Sequence, residues 1–482
     1  MEKENTQQER EAAAALAEDL GNLPLALEQA AAYATRAGLS LADYLGLFRA
    51  RRPEVEARST GSEEYPTALA TTFNISFTRL RAESPAAAEL LTLCAFLAPD
   101  EVPLEILKDG AEHLPPALAA AAADPEALAA LAATLQTYAL AKVRGGSFLT
   151  LHHFVQAAAR DLLSDEDQKK WAETSMRLMD SAFPFQSTNL ETWPTSARLL
   201  QHALITSERA GELPASGDVA WKLLNRVGEY LLNKAELEEA KVALERALEI
   251  SQATFGSNHP NAATCINNLG RILQELGDVE GARANYERAL AIDEAAYGPD
   301  HTAVAVHLNN IGTILEDQGD LEGARANFER ALIIDEAGYG PDHPEVATGL
   351  TNLGLVLLHL GNLADARANC ERALMIDEKT YGLDHPEVAT DLNNLGVVLE
   401  AQGDYDGARA SYERAERILN EFLGENHPLT LHARKNLERL KGLCRAGARP
   451  DGCRSPGGGV TAEGTRRESR GRVNDVLKSV GV

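Results

Sequence analysis

The sequence predicts a mostly all-α protein, a solenoid of helix pairs preceded by smaller helical segments. Three observations carry this. First, His259, His301, His343, His385 and His427 recur every 42 residues, and Gly256, Gly298, Gly340, Gly382 and Gly424 keep the same step. A fixed period of roughly 20–50 residues marks stacked supersecondary units. Second, aromatic residues are only 5% of the 482, which is poor for a β-sandwich and suits an Ala/Leu/Glu-rich helical chain. Third, apolar residues within each repeat follow helical spacing. Ile266, Leu269, Leu273 and Leu276 fall at i, i+3, i+7 and i+10.

The N-terminal region is read from residues 1–57. It holds Leu20-Gly21-Asn22-Leu23-Pro24-Leu25-Ala26-Leu27, a Gly-x-x-Pro turn entering a helix. This resembles the Leu-Gly-Gly-Leu-Pro-Leu-Ala-Leu segment of the first ARC subdomain in NB-ARC (STAND-type) NTPases, with Asn22 in place of the second glycine. The resemblance implies that Pro24 packs on the adenine of ADP. Residues 60–165 continue the likeness. Tyr138 to Ala141, Arg144-Gly145-Gly146 and Phe148 to Leu151 read as a β-hairpin, and His152-His153-Phe154-Val155-Gln156 opens a helix. Together they look like the family's winged-helix domain. The resemblance gives His152 the role of sensing the nucleotide β-phosphate; its local alternative is a helix-start histidine with a neighbouring hydrogen bond. Residues 166–215, with Trp193-Pro194, resemble the helical connector before the repeats in bacterial members.

The repeats occupy residues 216–443, in five units starting near Trp221, Ala263, Ala305, Ala347 and Ala389. Residues 281–300 and 323–342 match at 17 of 20 positions. In the second unit Gly277-Asp278 ends one helix and caps the next. Ala282, Tyr286, Ala289 and Ile292 then face inward on the second helix. One such pair cannot bury both faces, so neighbours must stack. A last helix near 428–442 would cap the open end. Leu269-Gly270, Ile311-Gly312, Leu353-Gly354 and Leu395-Gly396, with the small pairs Ala282/Ala289, Ala324/Ala331, Ala366/Ala373 and Ala408/Ala415, resemble the tetratricopeptide repeat. The 42-residue period and the loop histidines resemble its kinesin light chain variety.

Candidate binding residues lie on the first helix of each pair. Asn268, Asn310, Asn352 and Asn394 repeat at one position, and Asn267, Asn309, Thr351 and Asn393 at the preceding one. Asparagine is a mediocre helix former, so its mid-helix recurrence needs a reason. Its amide both donates and accepts, and a ladder of amides could grip the main chain of an extended peptide. The alternative is that the amides bond neighbouring repeats. Arg271, Thr313, Leu355 and Val397, and Gln274, Glu316, Leu358 and Glu400, vary on the same face and could carry selectivity. The resemblance also implies peptide binding through the asparagine ladder. The five loop histidines are too far apart to share a zinc ion, which needs ligands at about 2 Å.

Function classes are narrowed by absences. The formal net charge is 46 − 72 = −26, which disfavours nucleic acid and anionic membranes as partners. No Gly-x-x-x-x-Gly-Lys-Ser/Thr occurs, so a phosphate cradle is missing. On the resemblance, the chain starts after the NTPase core, and Pro24 and His152 are remnants of an ADP site. ADP would bind only if a separately encoded core completed that site. No His-Glu-x-x-His, Gly-x-Ser-x-Gly or Gly-x-Gly-x-x-Gly appears, so no enzyme activity, metal or cofactor is expected. The five cysteines are scattered, the N-terminus is polar, and no uninterrupted apolar run approaches about 18 residues. A cytoplasmic setting follows. Residues 444–482 carry eight basic and four acidic residues with Gly457-Gly458-Gly459, and are expected to be disordered. This basic tail is the one segment that could touch nucleic acid. The leading reading is a non-enzymatic scaffold for a peptide or protein segment. The second is the regulatory half of a split NB-ARC switch.

Overall fold

The structure is a computed structural model that describes residues 2–58, 66–186, 189–210 and 217–445. Most of the predicted tail, from 446 onward, and the 59–65 linker lie outside the described residues. The chain divides into two units, Met1–Ser257 and Asn258–Val482.

The first unit begins with α1 (Glu2–Asp19), α2 (Pro24–Ala37) and α3 (Leu41–Arg58). Leu16, Leu20, Ala30, Tyr44 and Phe48 are buried there. The α1–α2 turn needs left-handed backbone at Gly21 (φ +64°) and Asn22 (φ +56°). Asparagine tolerates that region better than other side chains, so Asn22 can stand where a glycine would be expected. Pro24 opens α2, where its missing N–H is not needed.

Next come α4 (Thr67–Glu83), α5 (Pro85–Cys94), β1 (Val102–Pro103), α6 (Ile106–Asp109), α7 (Pro116–Ala122), α8 (Pro125–Thr137), β2 (Lys142–Arg144), β3 (Phe148–Thr150) and α9 (His153–Asp161). The strands form an antiparallel sheet in the order β1-β3-β2, with Val143 opposite Leu149 and Val102 opposite Leu149 on the other side. The expected hairpin is present, but its first strand is Lys142–Arg144 and not Tyr138 to Ala141, because the chain turns out of α8 there with Ala139 at φ +53°. Gly145 (φ +57°) and Gly146 (φ +75°) make its turn, since tight hairpins need positive φ at both central residues. β1 was not foreseen, because a two-residue strand is too short for any periodic signal.

α10 (Asp165–Ala182) and α11 (Trp193–Ala210) lead to the first helix pair, α12 (Gly217–Asn233) and α13 (Leu237–Phe255). Phe185, Trp193 and Tyr230 pack edge to face or tilted, with ring centres 5.3–6.2 Å apart. Arg226 anchors this region by donating to the Phe183 carbonyl at 2.7 Å.

The second unit stacks four helix pairs and a closing helix. The pairs are α14 (Pro260–Glu275) and α15 (Val279–Tyr297); α16 (Thr302–Asp317) and α17 (Leu321–Tyr339); α18 (Pro344–His359) and α19 (Leu363–Tyr381); and α20 (Pro386–Gln402) and α21 (Tyr405–Leu423). α22 (Pro428–Arg445) closes the row. One continuous core runs through them, from Ala282 and Tyr286 to Leu437 and Leu440.

Local chemistry sets the helix ends. In each first helix a loop histidine is the N-cap: Nδ1 of His259, His301, His343 and His385 accepts the N–H two residues on, at 3.2 Å. Tyr297, Tyr339 and Tyr381 stack on the last three of these rings at 4.3–4.6 Å. Asp278, Asp320 and Asp404 cap the second helices by accepting from Gly281, Gly323 and Gly407 at 3.0 Å. Ala282, Tyr286, Ala289 and Ile292 are buried as expected. Leu276 departs from the expected stripe and is 45% exposed, because the helix ends there and turns it outward.

The Leu-Gly pairs mark where helices approach most closely. A Cβ on Gly312 would lie 2.6 Å from Cε1 of Phe328, and one on Gly270 2.7 Å from Cε1 of Tyr286. Gly349, in the middle of α18, has its nearest neighbour at an ordinary 3.6 Å. Gly312→Ala is therefore expected to destabilise the protein by about 1–3 kcal/mol through overpacking. Gly349→Ala should stabilise it by about 0.5–1 kcal/mol through helix propensity. Thermal melts of the two variants followed by circular dichroism check both signs.

Repeat-to-repeat ion pairs recur with the same step. Glu294 pairs with Arg330 at 2.7 Å, Glu336 with Arg372 at 2.6 Å and Glu378 with Arg414 at 2.6 Å. Each arginine also donates to a loop carbonyl, of Pro299, Pro341 or Leu383. In the repeated Asp293-Glu294, Asp335-Glu336 and Asp377-Glu378 the glutamate is thus part of the scaffold.

Candidate functional site

The amide ladder of the second unit sits on α14, α16, α18 and α20. Helix stacking brings part of it together. Asn267 Oδ1 accepts from Asn310 Nδ2 at 2.8 Å, one repeat away. Asn393 Oδ1 accepts from Asn436 Nδ2 at 3.0 Å in the same geometry. The rule is that the second asparagine of one repeat donates to the first asparagine of the repeat before. Asn267, Asn268 and Asn393 are buried.

The rule fails between α16 and α20. Asn309 Oδ1 is buried without a hydrogen bond among the described residues. Asn352 and Asn394 are half-buried. Thr351 stands where an asparagine would accept from Asn394, and its hydroxyl donates to Asp391 instead, at 3.0 Å. Among the described residues, the middle of the ladder therefore keeps amide capacity that its ends have used.

The varying positions divide similarly. Gln274 Oε1 accepts from the Tyr286 hydroxyl at 3.0 Å. Glu316 meets His359 Nδ1 at 2.7 Å. Glu400 accepts from the Tyr412 hydroxyl at 3.2 Å and from Arg439 Nη2 at 2.7 Å. Leu358 is buried. Inward satisfaction of the aromatic and neighbouring polar groups thus explains this position. Arg271 and Thr313 are half-buried, and Thr313 also donates to the Asn309 carbonyl at 3.1 Å.

Sequence reasoning missed a second polar seam. Cys265, His307, Gly349 and Asp391 share one position in the repeat. It faces Asp293, Asp335 and Asp377 of the second helices. His307 bridges Asn267 Oδ1 at 3.0 Å and Asp293 Oδ2 at 2.8 Å, all buried. Asp335, with only Gly349 at the facing position, has its carboxyl pushed up to about 7 by burial and then by Glu345. Asp391 and Asp377 form a buried acid pair whose carboxyls are both raised, first by burial. The detectable signal was one position that changes polarity opposite a constant aspartate.

In the first unit, His152 caps α9: its Nδ1 accepts from Phe154 N–H at 3.2 Å. Its imidazole is shifted down by burial, then by His153 and Lys142. His152 and Leu25, the residue after Pro24, line one cavity of about 580 Å³ with Glu28, Lys142 and Arg144. Distant segments thus converge near the two residues expected to contact a nucleotide. Among the described residues, no group of three or more His, Cys, Asp or Glu could hold a metal ion. Among them, too, no single helix is long and apolar enough to cross a membrane.

Comparison with known proteins gives the repeats their family. The tetratricopeptide repeat matches in five overlapping windows, 218–295, 266–337, 303–358, 345–421 and 393–443. Residues 218–443 are tetratricopeptide repeats. Residues 78–168 match a domain of unknown function, DUF7779. The chain is 26% identical over 259 residues to a nucleotide-binding leucine-rich repeat (NLR)-like protein of Hyaloscypha variabilis, covering 51% of this chain and 24% of that one. It therefore spans about a quarter of that curated relative's length. Among solved structures it is similar to BtubC (BKLC) from P. vanneervenii, with TM-score 0.40, 21% identity, and 56% and 96% of the two chains covered. It is also similar to a Signal Transduction ATPase with Numerous Domains (STAND) protein with a tetratricopeptide repeat sensor from Pyrococcus horikoshii. There the TM-score is 0.38 and the identity 14%, over 95% of this chain and 72% of that one.

Proposed function

We propose that the chain is a non-enzymatic interaction protein whose tetratricopeptide repeats hold a peptide or protein segment against the first helices of the pairs. The observation that carries this is the unused amide capacity at Asn309, Asn352 and Asn394. An orphaned buried acceptor costs about 1–3 kcal/mol, and a bound main chain offers the missing donors. The gripping residues are then Asn352, Asn394 and Asn309, with Thr313 and Arg271 beside them. Asn267, Asn310 and Asn393 hold neighbouring repeats in register. Affinity purification from the native cell, read by mass spectrometry, tests this with Asn352→Ala/Asn394→Ala. A partner retained by wild type and reduced at least tenfold with the double variant is expected, with an unchanged thermal midpoint. Equal recovery by both proteins would place binding elsewhere.

The second reading is the regulatory part of a STAND-type nucleotide switch. It is supported by the cavity that Leu25 and His152 share, and by similarity to the NLR-like relative. In this reading Pro24 and His152 contribute to an ADP site that an NTPase core completes. Calorimetric titration of the isolated chain with ADP should show no binding at micromolar concentrations. Heat of binding that His152→Ala abolishes would instead give the chain a nucleotide site of its own.

A further inference from the structure

We propose a second docking surface in the first unit, for a basic amphipathic helix, between α11, α12 and α13. The structure holds a cavity of about 920 Å³ there. Its apolar wall is Leu200, Leu204 and Ile205 of α11 with Leu224 and Leu231 of α12. Val242 of α13 lies at its edge and is 67% exposed. The matching position in later repeats is alanine (Ala284, Ala326, Ala368 and Ala410), so the larger apolar group is particular to this site.

Two features identify the occupant. Ser207 is 2% exposed, lines the cavity, and its hydroxyl has no hydrogen bond among the described residues. A hydroxyl so buried is ordinarily paired with protein or with ordered water. The rim carries the exposed carboxylates Glu208, Glu236, Glu238 and Glu239, together with Arg246, whose charge is paired with Glu249 at 2.9 Å. An apolar slot bordered by four carboxylates complements a helix with an apolar stripe flanked by lysine or arginine. From Leu200 to Glu208 the wall runs about 12 Å, at about 1.5 Å per residue, which accommodates a little over two helical turns. This surface is separate from the asparagine ladder and does not depend on it.

The test uses the full chain and a fluorescent peptide of about fourteen residues, two copies of Lys-Leu-Ala-Lys-Leu-Leu-Lys. A matched peptide with glutamate for every lysine is the control. Fluorescence anisotropy should show saturable binding of the lysine peptide and at least tenfold weaker binding of the glutamate peptide. Glu238→Lys/Glu239→Lys should weaken the lysine peptide at least tenfold, and Val242→Asp at least fivefold. All three positions are exposed, so folding is preserved and is verified by circular dichroism. Unchanged affinity in both variants would assign binding to the general negative charge and overturn the proposal. Equal binding of both peptides would also overturn it, as would a wild-type dimer in light scattering that Val242→Asp dissociates.

Discussion

Replacing Arg439 by alanine is expected to destabilise the repeat unit by about 3–5 kcal/mol, the largest effect of any single polar substitution considered. Glu400 is 1% exposed at its side chain, and Arg439 is 14% exposed. Arg439 meets both carboxylate oxygens, and the Tyr412 hydroxyl donates to one of them. Removing the guanidinium leaves a buried carboxylate whose sole remaining donor among the described residues is a phenol. The loss should be local: α22 is tied to α20 by this pair and by Asn436 on Asn393. Chemical denaturation should show the lowered midpoint, and hydrogen exchange should rise first in α22 and α20. The repeat itself supplies the rescue. At the matching position in α14, neutral Gln274 accepts from Tyr286. Arg439→Ala/Glu400→Gln should therefore recover most of the loss. No recovery would mean that the arginine contributes by packing rather than by charge.

Asp391→Asn is expected to raise stability at alkaline pH and flatten its pH dependence. Asp391 and Asp377 are 5% and 7% exposed, and burial raises both carboxyls above their usual range, followed by the charge of Asp377 for Asp391 and of Glu387 for Asp377. A raised native carboxyl holds its proton where the unfolded chain, ordinary for aspartate near 4, has released it. The native state then binds more protons, so stability falls as pH rises above about 4. Asp335, raised to about 7, acts in the same direction. Denaturation midpoints measured between pH 5 and 8 should decline for wild type and less for Asp391→Asn. At pH 8 the variant should exceed wild type by about 1–3 kcal/mol. Thr351 can still donate to the asparagine carbonyl, so the acidic end should change little. Parallel curves for both proteins would show that the pair is not ionising in this range.

Much of the repeat fold was legible without coordinates. The 42-residue step, the Gly277-Asp278 break, the inward Ala282, Tyr286, Ala289 and Ile292, and the hairpin at Gly145-Gly146 all depend on neighbours within about one helical pair. Local propensity and capping fix such features. The Leu-Gly signature was visible too, but its cause was not: only packing shows the Phe328 ring against Gly312.

The candidate site was legible as a set of positions, not as a set of roles. Asn267, Asn310, Asn352 and Asn394 look alike in the sequence. Asn310 is committed to Asn267 across 43 residues, whereas Asn352 and Asn394 retain unused capacity. His307 and Asp391 occupy one repeat position, yet one forms a histidine–aspartate contact and the other a buried acid pair. The helices, their caps and the faces that must be buried follow from contacts close along the chain, so the order of residues is enough to set them. Packing between repeats decides which polar groups are paired and which have no hydrogen-bond partner among the described residues. The reason is physical: a side chain's hydrogen-bond partner comes from the next repeat, and a single changed residue there, such as Thr351 or Gly349, leaves the group facing it unmatched.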